Sequence, residues 1–284
     1  MIDGELPSCF NMGRTLVTLA CLGVLLGALC SSAANQGETW LIVAHRGASD
    51  LAPENTLAAF NLAWELGADV IEADFYLTAD GHIVAHHDET TKRTAGVNRP
   101  VAKQTLAELK KHDVGAWKHS RFAGERIPTL QEVLATIPAG RAIFIEIKTD
   151  ARIVPALAES IRSSDLDPRQ VTVIAFDKEV IASFKGILPK TRALWLTKIK
   201  ETRPGIWRPT AQQIVKTATR IRADGVDLEA RPEAIDEAFI RTLRAAGLEI
   251  HVWTVNDAKL AQRMIDLGVD GITTDRPGWL RRFK

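Results

Sequence analysis

The stretch "VIEADF" (70–75) puts Glu72 and Asp74 two positions apart in an otherwise apolar run. In an extended strand, side chains at i and i+2 share a face, with Cα atoms ~6.5 Å apart. Two carboxylates on one face repel each other and are costly to desolvate, so they need a cation. Structural ion pairs to Arg or Lys would meet that need, and so would a metal. A second stretch, "FIEIKTD" (144–150), repeats the arrangement with Glu146 and carries Lys148 two residues on, facing the same way. Strands that neighbour each other in a parallel sheet lie about 4.8 Å apart, so three acidic side chains can surround one ion. All the donors are oxygens, which favours a hard divalent cation, Mg²⁺ or Ca²⁺, over Zn²⁺.

Two of the seven histidines stand apart. His45 ends an apolar run and leads into "HRG", beside Arg46. His87 ends "IVAHHD", and Asp88 follows it, placed to orient the ring; His86 should point the opposite way. Imidazole titrates near neutral pH, so two histidines flanking a divalent ion suit general base and general acid. His82, His112, His119 and His251 read as surface or satisfied core residues. Arg46 offers a fork for two anionic oxygens and Lys148 a point charge. That much positive charge suits a phosphate ester better than a neutral substrate.

The elements that must position these groups follow from hydrophobic patterning. Eight short apolar runs are strand candidates: 41–45, 70–75, 142–148, 171–176, 192–197, 225–229, 249–255 and 271–275. Several are β-branched and apolar on both faces, as buried parallel strands are. Helical patterns lie between most of them. "TLAAFNLAWELGAD" sets Leu57, Phe60, Ala63, Trp64 and Leu66 largely on one stripe, with Gly67 at the cap; two later patterns stop at Gly247 and Gly268. Alternation over about 245 residues predicts an α/β fold, a (β/α)₈ TIM barrel. A doubly wound open sheet is the rival, weakened by the lack of G-x-G-x-x-G after the first strand. Residues 77–128 are too long for one βα unit. They read as a mostly polar insertion after the second strand, lying over the C-terminal face, where barrel enzymes keep their sites.

Composition bounds the function. The chain has 284 residues, 46% hydrophobic, with formal net charge +1. That balance argues against bulk nucleic-acid binding, which needs a strongly basic face, but leaves room for a small local cluster of positive charge. Before the first strand, Arg14 precedes an apolar run from Leu16 to Leu29 and then Ser31, Ser32, Ala33 and Ala34. This is the layout of a secretory signal peptide starting at Met12 and spanning to residue 34, leaving a mature domain over 38–284. It implies an exported protein, periplasmic or secreted. An uncleaved membrane anchor is the alternative, disfavoured because the apolar run is shorter than the ~20 residues a span needs, so no stable span is expected in the mature protein. A lipoprotein is disfavoured because Leu29 precedes Cys30 where Gly or Ala is wanted. All three cysteines (Cys9, Cys21, Cys30) lie in the leader, so the mature chain has no disulfide or cysteine chemistry.

"AHRGASDLAPENT", "VIEADFYLTADGHIVAHHDETTKRT", "IFIEIK", "VWTVN" and "GVDGITTDRP", in this order over residues 41–277, resemble the glycerophosphodiester phosphodiesterase family. The resemblance implies a TIM barrel with a small insertion after the second strand. It also implies metal-dependent hydrolysis of a small glycerophosphodiester to sn-glycerol 3-phosphate and an alcohol. Carried over residue by residue, the catalytic histidines fall on His45 and His87, the metal carboxylates on Glu72, Asp74 and Glu146, and the substrate contacts on Arg46 and Lys148. Trp253 falls where the family has a tryptophan, an expected wall for the glycerol side. Glu54 and Asn55 belong to the first motif and are expected to hold the loop, with Asn55 or Thr56 capping the following helix. Trp117, Trp195 and Trp207 are further aromatics that could meet a choline by cation–π contact, or simply pack. A related barrel phosphodiesterase acting on a phospholipid or lysophospholipid, and a non-catalytic phosphodiester-binding protein, are the alternatives. The polar insertion and the intact histidine pair weigh against them.

Overall fold

Runs of Val, Ile and Leu that are apolar on both faces must be covered on both faces. The computed structural model, described here for residues 40–284, covers them by closing the sheet on itself. Its strands are β1 (Leu41–Ala44), β2 (Val70–Leu77), β3 (Ile83–Ala85), β4 (Ala142–Ile147), β5 (Val171–Ala175), β6 (Arg192–Thr197), β7 (Lys200–Arg203), β8 (Ile206–Arg208), β9 (Gly225–Glu229), β10 (Glu249–Trp253) and β11 (Gly271–Thr274). β1 pairs in parallel with both β2 and β11. The ring β1-β2-β4-β5-β6-β9-β10-β11 is therefore a closed eight-stranded parallel barrel. All eight runs expected from the sequence are its staves, with ends that differ by up to two residues; β2 runs two residues further, to Leu77. The leader read over residues 1–34 lies outside the described residues. Among the described residues, no helix is long and apolar enough to cross a membrane.

The helices are α1 (Leu57–Glu65), α2 (Lys92–Ala95), α3 (Leu106–Leu109), α4 (Leu130–Leu134), α5 (Val154–Arg162), α6 (Lys178–Ile187), α7 (Ala211–Ile221), α8 (Glu237–Ala245), α9 (Ala258–Asp266) and α10 (Pro277–Leu280). α1, α8 and α9 end close to Gly67, Gly247 and Gly268, each with positive φ, as the patterns predict. Outward-facing strand residues such as Ile42, Ile71, Ile145 and Val226 pack with helix residues such as Phe60, Leu157, Phe184 and Leu243 in one continuous core. Inside the barrel a smaller apolar plug of Val43, Val70, Phe144, Ile174, Leu194 and Leu196 fills the space. Above and beside it the interior turns polar: Glu72, Asp74, Glu146, Asp227, His251 and Thr273 are all buried. His251 sits edge-on to Phe144, with ring centroids 5.0 Å apart. It fits only because Gly271 on the next stave has no side chain: a Cβ there would lie 2.4 Å from His251 Nδ1.

The insertion after β2 is more than a polar flap. β3 pairs antiparallel with the end of β2, Phe75 opposite Ala85 and Leu77 opposite Ile83. Tyr76, Val84, Val101, Leu109, Val114 and Ile127 then form a separate buried cluster beneath the polar surface. These apolar residues are scattered singly through 76–127, without a period, which is why the segment reads as polar. The β7–β8 hairpin was not expected from the sequence. Its strand residues are exposed or half-buried and mostly charged, so no apolar alternation marks it, and only "PG" hints at the turn.

Candidate active site

The register of β2 against β4 places Asp74 directly beside Glu146. Glu72, one step down β2, shares their face, and ligand oxygens of the three carboxylates lie within 4.8 Å of one another. All three are buried. Burial and the charges of Asp74 and Glu146 hold the Glu72 carboxyl well above its ordinary range. Burial and Asp74 push Glu146 up to about 7, against the pull of Lys148. Asp74 is also desolvated, but Lys148 and Arg46 outweigh that and hold it low. Glu72 Oε1 and Asp74 Oδ1 are buried without a hydrogen-bond partner. Orphaned oxygens in an all-oxygen, net-negative cluster are what a hard divalent cation needs, so Glu72, Asp74 and Glu146 fit such an ion.

Arg46 and Lys148 border this cluster. Lys148 Nζ is 2.7 Å from Glu146 Oε1 and 3.3 Å from Asp74 Oδ1. Arg46 Nε is 3.1 Å from Asp74 Oδ2, an ion pair without an aligned hydrogen bond, and its Nη1 donates to Glu54 Oε1 at 3.1 Å. The Arg46 backbone takes φ 56°, a left-handed conformation uncommon for Arg, and so turns its N–H onto Glu72 Oε2 at 2.9 Å. Gly47 follows at φ 82°, where a Cβ would lie 2.6 Å from the Ala59 carbonyl carbon of α1. That close approach is why the histidine and arginine are followed by glycine.

His45 and His87 each anchor one ring nitrogen. His45 Nδ1 lies 2.6 Å from Asp275 Oδ1 and His87 Nδ1 2.7 Å from Asp88 Oδ1. A carboxylate at Nδ1 favours the tautomer that leaves Nε2 free as an acceptor, and it stabilises the imidazolium once formed. Burial raises Asp275, but hydrogen bonds from His45, Asn256 and Ser49 bring it down to about 2. Asp88 ends at about 2 likewise, through Arg93 and His87. Burial, helped by Arg46 and Lys148, lowers His87 against the opposing pull of Asp74 and Asp88. His86 points away, as expected, and is buried beside the Thr90 carbonyl.

A pocket of about 210 Å³ is lined by His45, Arg46, Glu72, His87, Glu146, Lys148 and Trp253 together with Phe176, Lys198 and Asp227. Asp74 lies just behind it. The eight residues singled out from the sequence thus converge. Trp117, Trp195 and Trp207 do not line the pocket: Trp117 lies under Arg93 and Lys118, Trp195 under Lys178, and Trp207 on the hairpin. Sequence reasoning missed Asp275, although barrel closure pairs Ala44 with Thr274 and so brings the next residues, His45 and Asp275, together. It also left open what Asn55 does. Asn55 donates to Asp74 Oδ2 at 2.8 Å and accepts from Asp74 N at 3.1 Å, while Thr56 is the cap of α1. Glu54 holds Arg46 and takes a two-pronged contact from Arg93, which also grips Asp88.

A profile of the glycerophosphoryl diester phosphodiesterase family matches residues 45–279. A glycerophosphodiester phosphodiesterase of Caldanaerobacter subterraneus is 36% identical over 242 residues, covering 84% of this chain and 94% of that protein. One from Bacillus subtilis is 28% identical over 260 residues, covering 86% of each. Among solved structures, an Oleispira antarctica phosphodiesterase in complex with the product sn-glycerol-3-phosphate superposes with a TM-score of 0.76 at 28% identity, covering 85% of this chain and 95% of that one. On the strength of the profile and of these relatives, the chain belongs to the glycerophosphoryl diester phosphodiesterase family.

Proposed function

We propose that the protein hydrolyses glycerophosphodiesters to sn-glycerol 3-phosphate and an alcohol, with His45 and His87 as its acid–base pair. The observation that carries this is the pair of carboxylate-anchored imidazoles lining one pocket with the buried Glu72–Asp74–Glu146 cluster. One histidine takes the proton of the attacking hydroxyl at Nε2, and the other delivers a proton to the departing alcohol oxygen. Asp275 and Asp88 hold the two rings and stabilise each when it is charged. Arg46 and Lys148 face the phosphoryl oxygens, where preorganised charge is usually the largest contribution. A divalent cation held by Glu72, Asp74 and Glu146 would supply Lewis-acid polarisation of the phosphoryl group. Trp253 forms a wall for the organic part of the substrate.

The attacking hydroxyl is either the glycerol 2-hydroxyl, giving a cyclic phosphate that water reopens with the roles reversed, or water itself. A 2-deoxyglycerol diester separates the two, because normal turnover eliminates the cyclic route. The activity is tested by assaying a panel of glycerophosphodiesters after EDTA treatment, with Mg²⁺ and Ca²⁺ restored in turn. Loss with chelator and recovery with either ion is expected; undiminished turnover in EDTA contradicts the metal role. The leader pattern at Arg14–Ala34 supports export to the periplasm or beyond. N-terminal sequencing of the mature protein checks the cleavage, and a chain still starting at Met12 would refute it in favour of an uncleaved anchor.

A further inference from the structure

Three residues at the open end of the barrel make a group of their own. Phe176 directly follows β5, Lys198 directly follows β6, and Trp253 ends β10. The Phe176 and Trp253 rings meet edge to face at 90°, with centroids 5.7 Å apart. The indole N–H of Trp253 donates to the Asp227 carbonyl at 3.2 Å, which fixes the ring. Aromatic faces beside a phosphate site are what a trimethylammonium head group would use. Here that place is taken. The Lys198 ammonium lies 5.9 Å from the Phe176 centroid and 5.4 Å from the Trp253 centroid. Lys148 is paired with Glu146 and Asp74, whereas Lys198 has no carboxylate partner among the described residues. Its ammonium thus has the two aromatic faces as its neighbours at the pocket edge.

We infer that Lys198 is a specificity-determining residue: it disfavours diesters carrying a cationic head group and selects those whose second alcohol is an uncharged polyol. The inference rests on the glycerophosphodiester reading of the site. The same pocket of about 210 Å³ is lined by both histidines and by Phe176, Lys198 and Trp253, so the inference sets the second alcohol, rather than the glycerol arm, against this wall. A choline there loses the aromatic faces to Lys198 and meets a like charge as well. Repulsion between unit charges ~6–10 Å apart near a protein surface corresponds to about a tenfold effect.

The test compares kcat/KM for glycerophosphocholine and glycerophosphoglycerol in the full-length wild type and in Lys198→Met, Lys198→Glu and Lys198→Arg. The choline-to-glycerol ratio is expected to rise about tenfold in Lys198→Met and further in Lys198→Glu, and to stay near wild type in Lys198→Arg. A ratio within twofold of wild type in both charge-removing variants overturns the role of Lys198 while leaving the reaction in place. A wild type that turns over neither diester overturns the functional reading itself, and this inference with it.

Discussion

His45 and His87, the proposed acid–base pair, each give one ring nitrogen to an aspartate. Replacing either by Ala is expected to lower kcat by roughly 10²–10⁴, and near-native rates in either variant would refute its assignment. Asp275→Asn keeps the size but removes the charge that favours the reactive tautomer and the imidazolium. A fall in kcat of at least about tenfold, with KM little changed, is expected from steady-state kinetics. The histidines and carboxylates were legible because each carries its signal within a few residues: an i, i+2 spacing or an adjacent Asp. Asp275 was not, because its partner lies 230 residues away and only barrel closure joins them. Asn55 likewise meets Asp74 only through the fold.

Elements determine which of these contacts form. The seam between β1 and α1 relies on Gly47, and the packing of α1 on the barrel relies on Phe60, which is fully buried. The two residues separate stability from chemistry. Phe60→Ala should cost about 3–5 kcal/mol in urea unfolding while leaving kcat close to wild type in the folded enzyme. Gly47→Ala forces a Cβ into the Ala59 backbone at positive φ. It should cost at least about 2 kcal/mol and also lower kcat, because Arg46 and His45 ride on the same turn. Equal kcat in both variants would contradict this division. The barrel staves were readable because buried parallel strands are continuous apolar runs. The insertion's inner cluster and the β7–β8 hairpin were not, because neither has a periodic apolar face.

Across the whole molecule, net charge near zero conceals a buried cluster of carboxylates at the centre. Glu146 sits at about 7, and Glu72 is raised in the same sense. Carboxyls raised in the folded state hold protons that the unfolded chain releases above about 4.5, so their contribution to stability is lost as pH rises from there through 7. Asp74, held low, contributes in the opposite sense, but fully so above its unfolded value near 4. His86 and His87, lowered by burial, also oppose the trend below about 6.5. The clean readout is therefore the rise in Tm on adding Mg²⁺ or Ca²⁺, which should be larger at pH 7.5 than at pH 5 and shrink in Glu146→Gln. An equal increment at both pH values would rule out the carboxylate cluster as the cation's site. Timing during synthesis is bound up with the same architecture. A ribosome that has released the chain as far as Lys148 has already delivered both imidazoles and all three clustered carboxylates. It has not yet delivered the last stave, which backs His45 and brings Asp275 to it. A chain cut short before Gly271 is thus expected to be hydrolytically silent despite its complete inventory, and adding the missing tail as a separate peptide should wake it.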